Sequence, residues 1–176
     1  MELAGRAYLD IETSFNNALT VVGVFRPDRG FFVQLVGDLA TQENLLNALD
    51  GATKIVTYNG NRFDLPMLNR CLSINLFALF DSHDLMYECL RKGLKGGLKA
   101  VEKRLGISRS IFGKGDDDPR FLWDRFRSFG DQASLERLLE YNRQDTLNLF
   151  LLEERLFNLP PRGSIEDYVE RYARLM

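Results

Sequence analysis

A chain of 176 residues, 45% of them hydrophobic, can fill one core and amounts to one domain, at most with a small appendage. Its net charge of −2 does not by itself announce a polyanion binder. Its two cysteines, Cys71 and Cys89, exclude a disulfide scaffold and have no metal-ligand spacing. No apolar run reaches the length of a membrane span, and Glu2 followed by an early strand leaves no room for a signal peptide, so a soluble, cytoplasmic protein is expected.

Residues 6–12 read as the first strand. Side chains alternate faces along a strand, which sets Ala7, Leu9 and Ile11 on one side and Tyr8, Asp10 and Glu12 on the other. The β-branched run Leu19–Phe25 is a second strand. Pro27-Asp28-Arg29-Gly30 is a turn, and Phe31–Leu35 a third strand hairpinned on the second. Thr41 caps a helix running to Leu49, with Gly51 just beyond. Lys54–Tyr58 is a strand, Asn59-Gly60-Asn61 a turn, Phe63–Leu72 a helix with Pro66 in its first turn, and Phe77–Phe80 a short apolar strand. Helices follow from Asp84 to about Arg91 and from Leu98 to Leu105, then a Gly- and Asp-rich loop at 107–120. Phe121–Phe129 is an aromatic helix. Leu135–Phe157 is a long helix stopped by Pro160-Pro161, and Ser164 caps a terminal helix to Leu175. This order gives an α/β domain: a mixed five-stranded sheet opening with a three-strand antiparallel meander, helices on both faces, and the first strand central. Residues 1–158 form the domain and 159–176 a helical appendage.

Charge is uneven along this order. From Arg91 to Lys114 eight basic residues face one acid, Glu102, a net +7 that leaves −9 for the remainder. Such a segment is either a polyanion-facing surface or a solvated helical face.

Three stretches carry chemistry. Asp10 and Glu12 point the same way from one strand, about 7 Å apart. If the strand is central, two buried anions need a cation, and oxygen-only ligands suit hard divalent ions; on an edge strand the pair is merely a solvated acidic face. In the long helix, Asp145 lies in mid-stripe with Leu138, Leu149, Leu152 and Leu156, and Tyr141 is one turn earlier on the same side. A carboxylate there needs a metal or a buried Arg. In Tyr58-Asn59-Gly60-Asn61-Arg62-Phe63-Asp64, Asp64 opens a helix just past the C-terminal end of a strand, where open α/β sheets place their sites; helix capping is its simpler role, as a turn is for Asn59.

Together these stretches resemble the DEDD superfamily of 3′–5′ exonucleases, which have a ribonuclease-H-like fold. Asp10-Ile11-Glu12-Thr13 looks like the first exonuclease motif, Asn59-x-x-x-Phe63-Asp64 the second, and Tyr141-Asn142-Arg143-Gln144-Asp145 the third in its tyrosine form. That form marks the DEDDy subclass, shared with proofreading domains of family B DNA polymerases, and YprB-like domains are the nearer likeness. The resemblance covers residues 6–157 and implies two Mg²⁺ or Mn²⁺ ions. It assigns Asp10 to both ions, Glu12 and Asp145 to the one that activates water, Asp64 to the other, and Tyr141 to orienting the water. Ile11, Thr13, Asn59 and Phe63 would meet the terminal nucleotides, although Phe63 is equally a core candidate. Lys95 and Lys99, beside Gly96-Gly97, are the chosen phosphate contacts.

His83 lies outside the third motif and takes a strand-end or capping role. Asp84 reads as an N-cap, and Asp116-Asp117-Asp118 as a solvated turn. The expected substrate is a single-stranded 3′ end of DNA or RNA. An endonuclease on structured or hybrid duplex, and a silent nucleic-acid-binding module, are the alternatives. Asp145→Asn is expected to relieve repulsion in the acidic site and leave stability intact.

Overall fold

The computed structural model describes residues 4–159 and 165–176, the side chain of Glu166 excepted; Glu2, Pro160, Pro161, Gly163 and Ser164 lie outside the described residues. The elements are β1 (Arg6–Thr13), β2 (Leu19–Arg26), β3 (Phe31–Val36), α1 (Gln42–Ala48), β4 (Lys54–Thr57), α2 (Asp64–Leu72), α3 (Leu76–Leu79), β5 (Asp81–Asp84), α4 (Leu85–Arg91), α5 (Leu98–Arg104), α6 (Pro119–Phe129), α7 (Gln132–Leu156) and β6 (Arg171–Leu175). They form one mixed sheet ordered β5-β4-β1-β2-β3-β6. The pairs β1–β2 and β2–β3 are antiparallel; β4 joins β1, β5 joins β4, and β6 joins β3 in parallel.

β1 is central, and its two faces meet different layers. Ala7, Leu9 and Ile11 enter a core with Leu45 of α1, Leu49 just after it, and Leu65 and Leu68 of α2. Tyr8 enters the opposite core, with Leu149, Phe150 and Leu152 of α7 and Leu85 of α4. The period-2 alternation thus directs Asp10 and Glu12 toward α7.

α7 is fixed against the sheet at two heights. Near one end, buried Glu153 accepts hydrogen bonds from Arg6 Nη1 and Tyr8 Oη, both at 2.6 Å. Further along, Asn142 Nδ2 donates to the Asp10 backbone oxygen at 3.3 Å and to Asp10 Oδ2 at 3.1 Å. Gln34 Nε2 in turn donates to Asn142 Oδ1 at 2.9 Å. Gly23, the partner of Asp10 in the β1–β2 register, permits the close approach: a Cβ there would stand 2.3 Å from Thr146 Oγ1 and 2.6 Å from Asn142 Oδ1. Asp145 lies between these two anchors, so its position over β1 is determined by packing on both sides.

Two elements differ from the sequence expectation. The apolar run expected to be a strand at 77–80 is instead the short helix α3, which buries Leu76 and leaves Phe77 and Leu79 exposed. The strand comes next, at Asp81–Asp84, and extends the sheet through pairing with β4. It is an edge strand whose stability comes from backbone pairing, so its side chains carry no apolar alternation. The terminal helix expected at 164–175 is also absent among the described residues. Ile165–Tyr168 form a 3₁₀ turn and Arg171–Leu175 become β6, giving six strands instead of five. Tyr172 stacks on Phe32 with ring centroids 5.2 Å apart and donates from its hydroxyl to Gln34 Oε1 at 2.6 Å. Long-range pairing with the open edge of β3 outweighs a local helical preference.

Candidate active site

The carboxylates of β1 and α7 converge although their sequence positions are more than 130 residues apart. Asp10, Glu12 and Asp145 each present an oxygen, and these oxygens lie within 4.8 Å of one another. Asp64, at the first position of α2, turns into the same cleft, where its Oδ1 accepts from the Ile11 backbone N–H at 3.2 Å. The cleft has a volume of about 370 Å³; Ile11, Asn59, Phe63, Lys99 and Tyr141 also line it.

The second motif is shaped from below by Asp84. Its carboxylate caps α4 through Met86 N–H at 3.0 Å. It also accepts from the backbone N–H of Asn59 at 2.7 Å and of Asn61 at 3.2 Å. Asn59 adopts a left-handed backbone, φ +63°, which asparagine tolerates better than most residues. This staple turns the chain so that Asp64 faces β1. Phe63 is 43% exposed, which removes it from the core and makes it a wall of the cleft.

Other candidates are placed less closely. Thr13 lines an adjoining cleft with Phe15 and Arg120. Lys95 is exposed and does not line the cleft of the carboxylates. Lys99, by contrast, enters the centre: its Nζ is 2.6 Å from the Tyr141 hydroxyl and also bonds Asp145 Oδ2. Asp116, Asp117 and Asp118 pair with Arg125, Arg137 and Arg120 at the surface.

Arg109 is the residue that sequence reasoning did not single out. Its side chain is 2% exposed and bonds Asp145 Oδ1. It also donates to both Glu102 oxygens, at 2.7 and 3.1 Å, and to the Ile111 carbonyl at 2.7 Å. The available signal was the carboxylate in mid-stripe on α7, which demanded a cation, together with the basic run that contains Arg109. Asp145 therefore faces cations on both oxygens, and Asp145→Asn would remove the charge that both of them pair with. The expectation that this change relieves repulsion fits Asp10 instead.

Burial and mutual repulsion set the electrostatics. Burial, followed by the charges of Asp145, Glu12 and Asp64, raises the Asp10 carboxyl well above its ordinary range. Burial and then Asp145 raise Glu12, with Lys99 opposing. Burial pushes Asp64 up to about 7, against two backbone hydrogen bonds that hold it down. Burial, with the Asp145 and Glu12 charges, also raises the Tyr141 phenol, which keeps its proton at neutral pH.

Asp64 therefore has a measurable pH signature in metal-free buffer. The unfolded chain releases this proton near 3.8 and the folded chain near 7, so between them the folded state holds more protons and loses stability as pH rises. The stability of Asp64→Asn relative to wild type should climb from pH 4 to pH 7 and then level off. Paired thermal melts in EDTA read this, and a pH-independent difference would refute it.

Hard carboxylate oxygens, crowded to the point of resisting ionisation, fit a divalent ion of the Mg²⁺ class. No helix among the described residues is long and apolar enough to cross a membrane. A comparison with curated proteins finds no match. Residues 7–157, from the start of β1 to the end of α7, match the family model RNase_H_2, described as RNase H superfamily. They include five of the six strands and the carboxylates of the cleft, and the chain belongs to the RNase H superfamily.

Proposed function

We propose that this protein is a divalent-metal-dependent 3′–5′ exonuclease of the DEDDy type, acting on single-stranded ends of DNA or RNA. The observation that carries the reading is the meeting of Asp10, Glu12 and Asp145 oxygens within 4.8 Å, in a cleft shared with Asp64 and Tyr141. Two Mg²⁺ or Mn²⁺ ions would supply a water of lowered pKa and charge stabilisation for the attacking and leaving oxygens. Asp10, Glu12 and Asp145 would hold one ion, and Asp10 with Asp64 the other.

The remaining residues position the substrate. Tyr141, kept protonated by its buried and anionic surroundings, orients the water as a hydrogen-bonding group and does not act as a base. Lys99 Nζ, between the Tyr141 hydroxyl and Asp145, contributes positive charge beside the scissile phosphate. Phe63, exposed on the cleft wall, offers its ring to the terminal base, and Ile11 and Asn59 bound the space beside it. Thr13, in the adjoining cleft, borders the strand, and Lys95, exposed outside the cleft of the carboxylates, contributes a phosphate contact.

Digestion of 5′-labelled DNA and RNA oligomers with Mg²⁺ or Mn²⁺ tests this reading. A ladder receding from a free 3′ end, and none from a blocked one, is expected. Cutting of a circular single strand would replace it with an endonuclease. Binding without cleavage at any metal concentration would leave a silent binding module.

A further inference from the structure

The cleft of the carboxylates does not end at Phe63. It shares Ile11, Glu12 and Phe63 with a second cleft of about 390 Å³. That one shares Ser14, Phe15 and Arg120 with a third of about 520 Å³ lying against α6. One lane thus runs from the carboxylates, past the β1–β2 turn, and along α6 as far as Arg127.

Two rings of the outer lane, exposed Phe15 and half-buried Trp123, are paired with guanidinium groups. Phe15, 51% exposed, lines both outer clefts, and Phe121, 49% exposed and outside the lining, meets it edge to face with centroids 4.9 Å apart. Arg120 lies 5.1 Å from the centre of the Phe15 ring. On α6, Arg120, Trp123, Asp124 and Arg127 share one face at helical spacing, and Arg127 lies 5.8 Å over Trp123. The indole rests on the turn after β3, where a Cβ on Gly37 would come within 3.2 Å of it. Asp118 is bound to Arg120, and Asp38 and Asp124 line the far cleft, so beyond the carboxylates three aspartates face two arginines and the lane is not basic. A partner recognised mainly by phosphate charge would call for a basic surface. A partner recognised by its π-faces, with occasional cation help, suits this one.

We propose that this lane holds the unpaired nucleic-acid strand whose end lies in the carboxylate cleft, with bases stacked on Phe63, on the Phe15–Phe121 pair and on Trp123. Arg127 contributes a phosphate contact at the far end. The proposal rests on the nuclease reading and deepens it: the substrate must carry several unpaired nucleotides behind its end. Any sequence would serve, because every base has a stacking face.

Trp123 is the chain's single tryptophan, so its fluorescence reports on the lane directly. The full chain is titrated in EDTA with 3- and 12-nucleotide DNA and RNA oligomers, and labelled oligomers give binding independently by anisotropy. The 12-mers, and not the 3-mers, should quench Trp123 and bind at least tenfold more tightly. Phe15→Ala with Phe121→Ala should weaken the 12-mers about 5- to 150-fold, the range for loss of one stacked base. Arg127→Ala should flatten the salt dependence by about 0.7 in logarithmic slope. Circular dichroism checks that the variants fold; should the double variant fail, wild-type quenching and Arg127→Ala decide. Equal 12-mer binding by wild type and variants, with Trp123 unquenched, would overturn the lane and leave the nuclease reading standing. Absence of both binding and Mg²⁺-dependent cleavage would overturn the nuclease reading itself.

Discussion

Asp10→Asn should lower single-turnover cleavage by at least about 1000-fold, equivalent to about 4 kcal/mol of barrier, while leaving the metal-free protein as stable as wild type or more so. Burial and then the charges of Asp145, Glu12 and Asp64 oppose the ionisation of Asp10, with Lys99 acting the other way. Its Oδ2 accepts from Asn142 Nδ2 at 3.1 Å, a bond the amide oxygen of asparagine can keep. The substitution therefore removes repulsion and preserves shape. Melts in EDTA and in Mg²⁺ should diverge: the ion raises the wild-type melting temperature through binding to the folded state, and raises that of the variant much less. Full cleavage by the variant would remove Asp10 from the site. A lower melting temperature in EDTA would show that its charge is no burden to the fold.

Arg109→Met should cost about 3–5 kcal/mol of stability, the usual consequence of removing one partner from a buried ion pair. For a chain of this size that corresponds to a fall of about 6–20 °C in melting temperature. The arginine side chain is 2% exposed and Glu102 1%, so the stranded Glu102 carboxylate cannot recover solvent. Asn148 Nδ2, at 2.9 Å, is then its remaining polar side-chain partner among the described residues. The bond to the Ile111 carbonyl, which ties the 107–118 loop to this network, goes as well. A surface pair gives the contrast. Arg125 and Asp116 are 45% and 92% exposed, and Arg125→Met should cost less than about 1 kcal/mol. Urea denaturation at pH 7 compares the two. A cost below about 1 kcal/mol for Arg109→Met would mean that Asp145 and Glu102 do not depend on it.

The carboxylates were legible in the chain because local periodicity exposes them. Alternation along Ala7–Glu12 sets Asp10 and Glu12 on one face, and the 3.6-residue stripe of α7 sets Tyr141 and Asp145 on its buried face. These patterns depend on neighbours a few residues away, and they survive folding because burial enforces them. The meander, the caps at Thr41 and Asp84, and the helix that Asp64 opens were readable for the same reason.

What the sequence by itself determined is which faces are apolar and which carboxylates they carry. Only the tertiary structure decided how those faces meet and which charges answer one another. β5 and β6 are edge strands made by backbone pairing with distant partners, so neither an apolar run nor a helical pattern announces them. Phe63 became a cleft wall because Asp84, 21 residues later, holds the turn before it. The cations on Asp145 come from α5 and from the loop after it, positions 99 and 109, at no fixed spacing from α7. Electrostatic partners are selected through space, and spacing along the chain carries no record of that choice.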